Sequence, residues 1–194
     1  MTRDFRDPSM ARSICVFCAS SSKVEPVYVG AAEELGTLLG MRRHTLIYGG
    51  THVGLMAALA DAARRAGGKV TGVVPRLMVE HGIADRDCDE LIVTPDLRGR
   101  KTVMEQRADA FMALPGGFGT LEEVFEILAL RLLKYHDKPV VLINTAGFYD
   151  PLLAFLEQLY RLGFAREKYR RKYAVAADPA AALELIEEGT RREG

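Results

Sequence analysis

The feature that most constrains this chain is an alternation of short runs, most of them unbroken and apolar, with longer stretches at helical spacing. The runs fall at 13–18, 45–48, 69–74, 90–93, 110–114, 139–143 and 173–175. Helical patterns fill the gaps at 26–42, 53–66, 97–108, 121–134, 149–162 and 179–189. Runs apolar throughout fit strands covered on both faces. Strand–helix alternation predicts a parallel sheet with right-handed crossovers, a doubly wound α/β domain. No repeat, low-complexity tract or linker interrupts it. One domain over 13–189 is expected, with tails at 1–12 and 190–194.

The 194 residues are 48% hydrophobic and 27% charged, enough for a sizeable core without staples. Lys plus Arg and Asp plus Glu each number 26, so the net charge is zero. That argues against a bulk electrostatic footprint for nucleic acid. No apolar run approaches the roughly 18–20 residues of a membrane span. The polar stretch 1–12 lacks the apolar segment of a signal peptide. Three cysteines, Cys15, Cys18 and Cys88, suit a reducing cytoplasm better than a disulfide framework. Cys15 and Cys18 match C-x-x-C, but on a strand they face opposite sides of the sheet. Two buried structural thiols are expected there, not a redox or zinc pair. The four histidines are scattered, and no cluster has metal-ligand spacing.

In such sheets ligands bind beyond the carboxyl ends of the strands. The loops there contain Ala19-Ser20-Ser21-Ser22, Gly49-Gly50-Thr51, Pro75-Arg76 and Pro115-Gly116-Gly117-Phe118-Gly119-Thr120. In the last, a buried strand ends in a glycine turn and a helix begins. Glycines permit close backbone approach. Free amides and the positive end of a helix dipole attract phosphate. Thr120 is positioned to cap the helix or to donate to an anion. The turn reads either as a phosphate cradle or as a plain strand–turn–helix corner. It is neither a Walker A loop nor a G-x-G-x-x-G fingerprint.

On the following helix, Leu121, Val124, Phe125, Leu128 and Leu132 form an apolar stripe. Glu123 is placed opposite it, near Ile127 and Leu130, on a second apolar face expected to be covered by a partner or a ligand. Glu122 and Glu126 are read as solvated. Upstream, Arg98, Arg100 and Lys101 open a helix for which Asp96 is a candidate N-cap. Cations there oppose the helix dipole. Their placement reads either as an anion site or as a solvated charge run.

Together these residues resemble the LOG ("Lonely Guy") family, cytokinin-activating phosphoribohydrolases often labelled possible lysine decarboxylases. The resemblance rests on P-G-G-x-G-T-x-x-E, here running from Pro115 to Glu123, and on the Arg100-Lys101 pair. It extends to Val16-Phe17-Cys18-Ala19-Ser20-Ser21, to Tyr48-Gly49-Gly50-Thr51 with Gly54-Leu55-Met56, and to His136-Asp137-Lys138-Pro139. The chain departs from the family pattern at 97–99, near Gly82 and at 130–132, around the base pocket and dimer face.

The resemblance implies a Rossmann-like fold, a homodimer, no cofactor, and hydrolysis of the N-glycosidic bond of a nucleoside 5′-monophosphate. It implies Arg100 and Glu123 as catalytic residues. It implies Gly116, Gly117, Gly119 and Thr120 around the phosphate, with Lys101 and Glu122 beside them. Ser20, Gly49 and Gly50 would line the nucleotide pocket. The competing readings are a nucleotide-binding module without chemistry and a pyridoxal enzyme using Lys101 or Lys138.

Overall fold

The computed structural model describes residues 11–188. Its seven strands are β1 (Ser13–Phe17), β2 (Thr45–Tyr48), β3 (Lys69–Pro75), β4 (Glu90–Thr94), β5 (Ala110–Ala113), β6 (Val140–Ile143) and β7 (Ala174–Ala176). They form one sheet in the order β4-β3-β2-β1-β5-β6-β7, and every neighbouring pair is parallel.

The main helices are α1 (Pro26–Met41), α2 (Gly54–Arg65), α3 (Arg76–Glu80), α4 (Leu97–Arg107), α5 (Phe118–Leu132), α6 (Asp150–Arg161) and α7 (Pro179–Glu188). They cover both faces of the sheet. One core holds α1, α2 and α7 residues such as Leu35, Leu59 and Leu183. The other holds Met104 of α4, Val124 of α5 and Tyr149 at the start of α6. β1 divides its side chains as its pleat requires: Ile14, Val16 and Cys18 enter the first core, Cys15 and Phe17 the second. The two cysteines therefore face apart, both free. This is the expected three-layer doubly wound domain.

Four details differ from the sequence reading. Helix α3, with no buried residue, went unforeseen, as did the 3-10 turns Thr145–Gly147 and Glu167–Lys172. Arg12 is buried and belongs to the fold, not to a tail. Its N–H donates to His44 Nδ1 (3.1 Å), and its carbonyl accepts from Thr45 N–H (2.8 Å). The other tail residues, 1–10 and 190–194, lie outside the described residues. Finally, α5 is phased differently. Glu123, Val124, Ile127 and Leu128 are buried, whereas Phe125 is 41% exposed. The sheet-facing stripe thus centres on Val124 and Ile127, and Glu123 lies within it, not on a separate covered face.

The chain switches sides of the sheet between β4 and β5, placing the β1 and β5 carboxyl ends side by side. That divergence opens a crevice.

Candidate functional site

The crevice is a cleft of about 390 Å³. The loop after β1 supplies Ala19, Ser20 and Ser21, and the β5–α5 turn supplies Gly117, Phe118, Gly119 and Thr120. Arg100 and Glu123 form its floor, and Thr51, Met78 and Ile83 stand on the far wall.

Arg100 is positioned by the start of α4. Asp96 caps that helix, its carboxylate accepting from Gly99 N–H at 2.7 Å. Arg100 then lies in the first turn. Its Nε donates to the Val73 carbonyl at 3.1 Å, and its Nη1 donates to Glu123 Oε1 at 2.6 Å. Nη2 passes over Gly49, where a Cβ would stand 2.4 Å from it. A side chain at 49 would therefore push the Arg100 guanidinium and Met56 out of place.

Glu123 comes from the opposite side, one turn into α5, and is 7% exposed. Burial pushes its carboxyl above the usual glutamate range. The Arg100 charge and hydrogen bond pull it back only in part. The result is a buried carboxylate paired with Arg100 beside open space, its neutral form favoured relative to that of an exposed glutamate. Such a group exchanges a proton more readily than a fully paired surface glutamate.

The β5–α5 turn is built around one close contact. A Cβ on Gly116 would lie 2.1 Å from Thr120 Oγ1, whereas nothing stands within 4 Å of one on Gly117 or Gly119. Gly117 is the N-cap of α5, and no side chain caps this helix. Thr120 is thus not a cap. It sits buried in the first turn, packed over Gly116. The helix N-terminus opens towards the cleft with glycines on either side of Phe118, geometry suited to an anion.

The cleft brings together Ser20, Gly49, Arg100, Gly117, Gly119, Thr120 and Glu123. Gly50, Lys101, Gly116 and Glu122 stand outside its lining. Gly50 packs under β3, and its carbonyl accepts from Asp85 N–H at 2.8 Å. Lys101 Nζ pairs with Glu122 and, at 2.5 Å, with Glu126. Glu122 and Glu126 are exposed, as expected, and both pair with Lys101. Lys138, the other lysine considered for a Schiff base, donates to the Glu105 carbonyl at 2.5 Å, away from the cleft. The far wall, with Met78 and Ile83, was missed. Its segment carries neither a glycine motif nor an apolar period to mark it. Among the described residues no group of three or more His, Cys, Asp or Glu is placed to hold a metal ion.

The model of a family described as "Possible lysine decarboxylase" matches residues 56–186. The chain is 41% identical over 180 residues to "Probable cytokinin riboside 5'-monophosphate phosphoribohydrolase LOGL2" of Oryza sativa subsp. japonica, covering 93% of this chain and 74% of that protein. It is 40% identical over 180 residues to the Arabidopsis thaliana enzyme "Cytokinin riboside 5'-monophosphate phosphoribohydrolase LOG7", covering 93% and 83%. Among solved structures, the molybdenum cofactor binding protein of Rippkaea orientalis superposes with a TM-score of 0.70 at 25% identity, over 92% of this chain and 97% of that one. The molybdenum cofactor carrier protein of Chlamydomonas reinhardtii gives 0.69 at 26% identity, over 92% and 98%. With relatives this similar over nearly its whole length, the chain belongs to the LOG family, whose model carries the lysine decarboxylase description.

Proposed function

We propose that this protein hydrolyses the N-glycosidic bond of a purine nucleoside 5′-monophosphate, of the cytokinin riboside or AMP type. The products are the free base and ribose 5-phosphate. The observation that carries the reading is the Arg100–Glu123 pair: a buried carboxylate held at 2.6 Å on the floor of an open cleft, beside an uncapped helix N-terminus. The names of the relatives point the same way.

The phosphate sits at the α5 N-terminus among Gly117, Gly119 and Thr120, with Gly116 allowing the turn to close and Lys101–Glu122 bracing the helices behind it. Ser20 and Gly49 line the nucleoside side, and Gly50 shapes the loop beneath. As the C1′–N9 bond breaks, its electron pair leaves with the purine and positive charge builds on the ribose. The Glu123 carboxylate stabilises that charge and takes a proton from the water that attacks C1′. The departing base nitrogen finally receives the proton, so no proton is left over. Arg100 orients the nucleotide and holds Glu123 in place.

The pyridoxal alternative loses its support, because neither Lys101 nor Lys138 lines the cleft. We read the partner as a second copy of this chain, since Phe118 (92% exposed) and Phe125 leave an apolar stripe on α5. A cytoplasmic location agrees with three free cysteines and with the lack, among the described residues, of any helix long and apolar enough to cross a membrane.

The test is product analysis with a panel of purine nucleoside 5′-monophosphates and the matching nucleosides. Free base and ribose 5-phosphate in equal amounts, from the monophosphates alone, are expected. Binding without base release across the panel would replace the enzyme by a nucleotide-binding module. A monomer by light scattering at micromolar concentration would remove the dimer.

A further inference from the structure

The far wall of the cleft is attached in an unusual way. Between Pro75 and Glu90 only one residue is buried, and it is charged: Asp85, 1% exposed. Met78 and Ile83, which face the cleft, are only half-buried, and α3 contributes nothing to the core. What holds this segment is a set of polar contacts converging on Asp85. Its carboxylate accepts from Tyr48 Oη at 2.5 Å, from Arg64 Nη1 at 2.7 Å and from Asp87 N–H at 3.0 Å. Its own N–H donates to the Gly50 carbonyl at 2.8 Å, and His52 N–H donates to the Ile83 carbonyl at 2.9 Å. Arg64 is held in turn by Asp61, which also receives His52 Nε2 at 3.3 Å. Tyr48 ends β2 and Arg64 lies on α2, so the segment is tied to two rigid elements through one carboxylate.

We propose that Asp85 is a positioning residue for the nucleotide. It fixes where Met78 and Ile83 stand, and so which bases the cleft accepts. Apolar side chains tolerate small shifts, whereas a carboxylate gripped by a tyrosine, an arginine and a backbone amide has one geometry. The wall is therefore placed by direction and distance more than by packing, which Cys88 alone among 76–89 makes with the first core. Asp85 touches no substrate; it acts through Met78 and Ile83. The claim rests on the phosphoribohydrolase reading for its substrates but not for its geometry.

The experiment measures kcat and KM for base release from two purine nucleoside 5′-monophosphates. One carries a free exocyclic amine and the other a bulky apolar group on it. Wild type, Asp85→Asn, Tyr48→Phe and the double variant are compared. Asp85→Asn is expected to raise KM by about tenfold, the scale of one charged hydrogen bond, and to change the preference between the substrates, with kcat nearly kept. Tyr48→Phe shifts both in the same direction by less. The double variant costs less than the two single effects combined, because both changes act on one cluster of contacts.

Unchanged KM and preference in variants that only melt earlier would overturn the proposal, leaving Asp85 a purely structural anchor. If Asp85→Asn does not fold, Tyr48→Phe decides on the same criteria. If wild type binds these nucleotides without cleaving them, the hydrolase reading falls. The same comparison made on Kd then decides the Asp85 claim. Binding of neither nucleotide overturns both.

Discussion

Two buried carboxylates, Glu123 and Asp85, each pair with an arginine, and they have been driven in opposite directions. Among the described residues, Glu123 has Arg100 as its one hydrogen-bonded side-chain partner; it borders open space, and burial holds its carboxyl above the ordinary range. Asp85 is gripped by Tyr48, Arg64 and the Asp87 amide. These donors outweigh burial and hold it below the ordinary range. The same chemical group, buried in both places, is shifted up where its donors are few and down where they are several. Each also lies beside a different wall. The β5–α5 wall is regular structure packed through Val124, Ile127 and Leu128. The segment from α3 to β4 hangs on polar contacts.

The largest effect is expected at Glu123. In Glu123→Gln the proton acceptor goes while size and hydrogen-bonding capacity remain. Removing a general base costs about 10²–10⁴ in kcat. Base-release rates and a melting curve check this; a folded variant at near wild-type rate would make the two carboxylates equivalent. Next comes the β5–α5 turn, proposed to carry the phosphate. Gly116→Ala drives a methyl into Thr120 and is expected to cost about 1–3 kcal/mol of stability along with nucleotide affinity. Gly117→Ala meets nothing within 4 Å and so isolates the steric part by contrast. Denaturant melts of the two variants give the difference.

The smallest effect sharpens the contrast between walls. Tyr149 donates to the Leu114 carbonyl at 2.8 Å, just before the glycine turn. Tyr149→Phe should cost only about 1 kcal/mol with KM nearly unchanged, since apolar packing also holds that wall. Tyr48→Phe, on the polar wall, should move KM. Equal KM shifts would dissolve the distinction.

How much of this was legible in the sequence follows the same division. The strands and the glycine turn were readable because apolar runs and clustered glycines are local signals. Arg100 and Glu123 were singled out by chain position and by the family motif, although their 2.6 Å contact joins residues far apart in sequence. The phase of α5 was only partly read: of the apolar stripe, Val124 and Leu128 are buried, but the sheet takes Ile127 and Glu123 beside them rather than Leu121 and Phe125. The polar wall was invisible. A five-residue helix with no buried side chain has no period to read. Nor does anything local show that Asp85, among the exposed Arg86, Asp87 and Asp89, is the buried one.

Acid pH separates the two carboxylates further. Asp85, lowered by folding, contributes stability that is present above the ordinary aspartate range and lost as pH falls through its lower folded value. Glu123, raised by folding, works the other way. Its burial favours the protonated form, so its contribution is present at low pH and fades as pH rises through the raised value. In the proposed reaction Glu123 works ionised, so activity should fall as pH drops through that same raised value. The most direct measurement is therefore the pH profile of kcat/KM for wild type, Asp85→Asn and Glu123→Gln. The prediction is an acid limb above the ordinary carboxylate range, unmoved in Asp85→Asn and gone from the residual activity of Glu123→Gln. An acid limb that survives in Glu123→Gln would contradict the assignment of Glu123 as the working carboxylate.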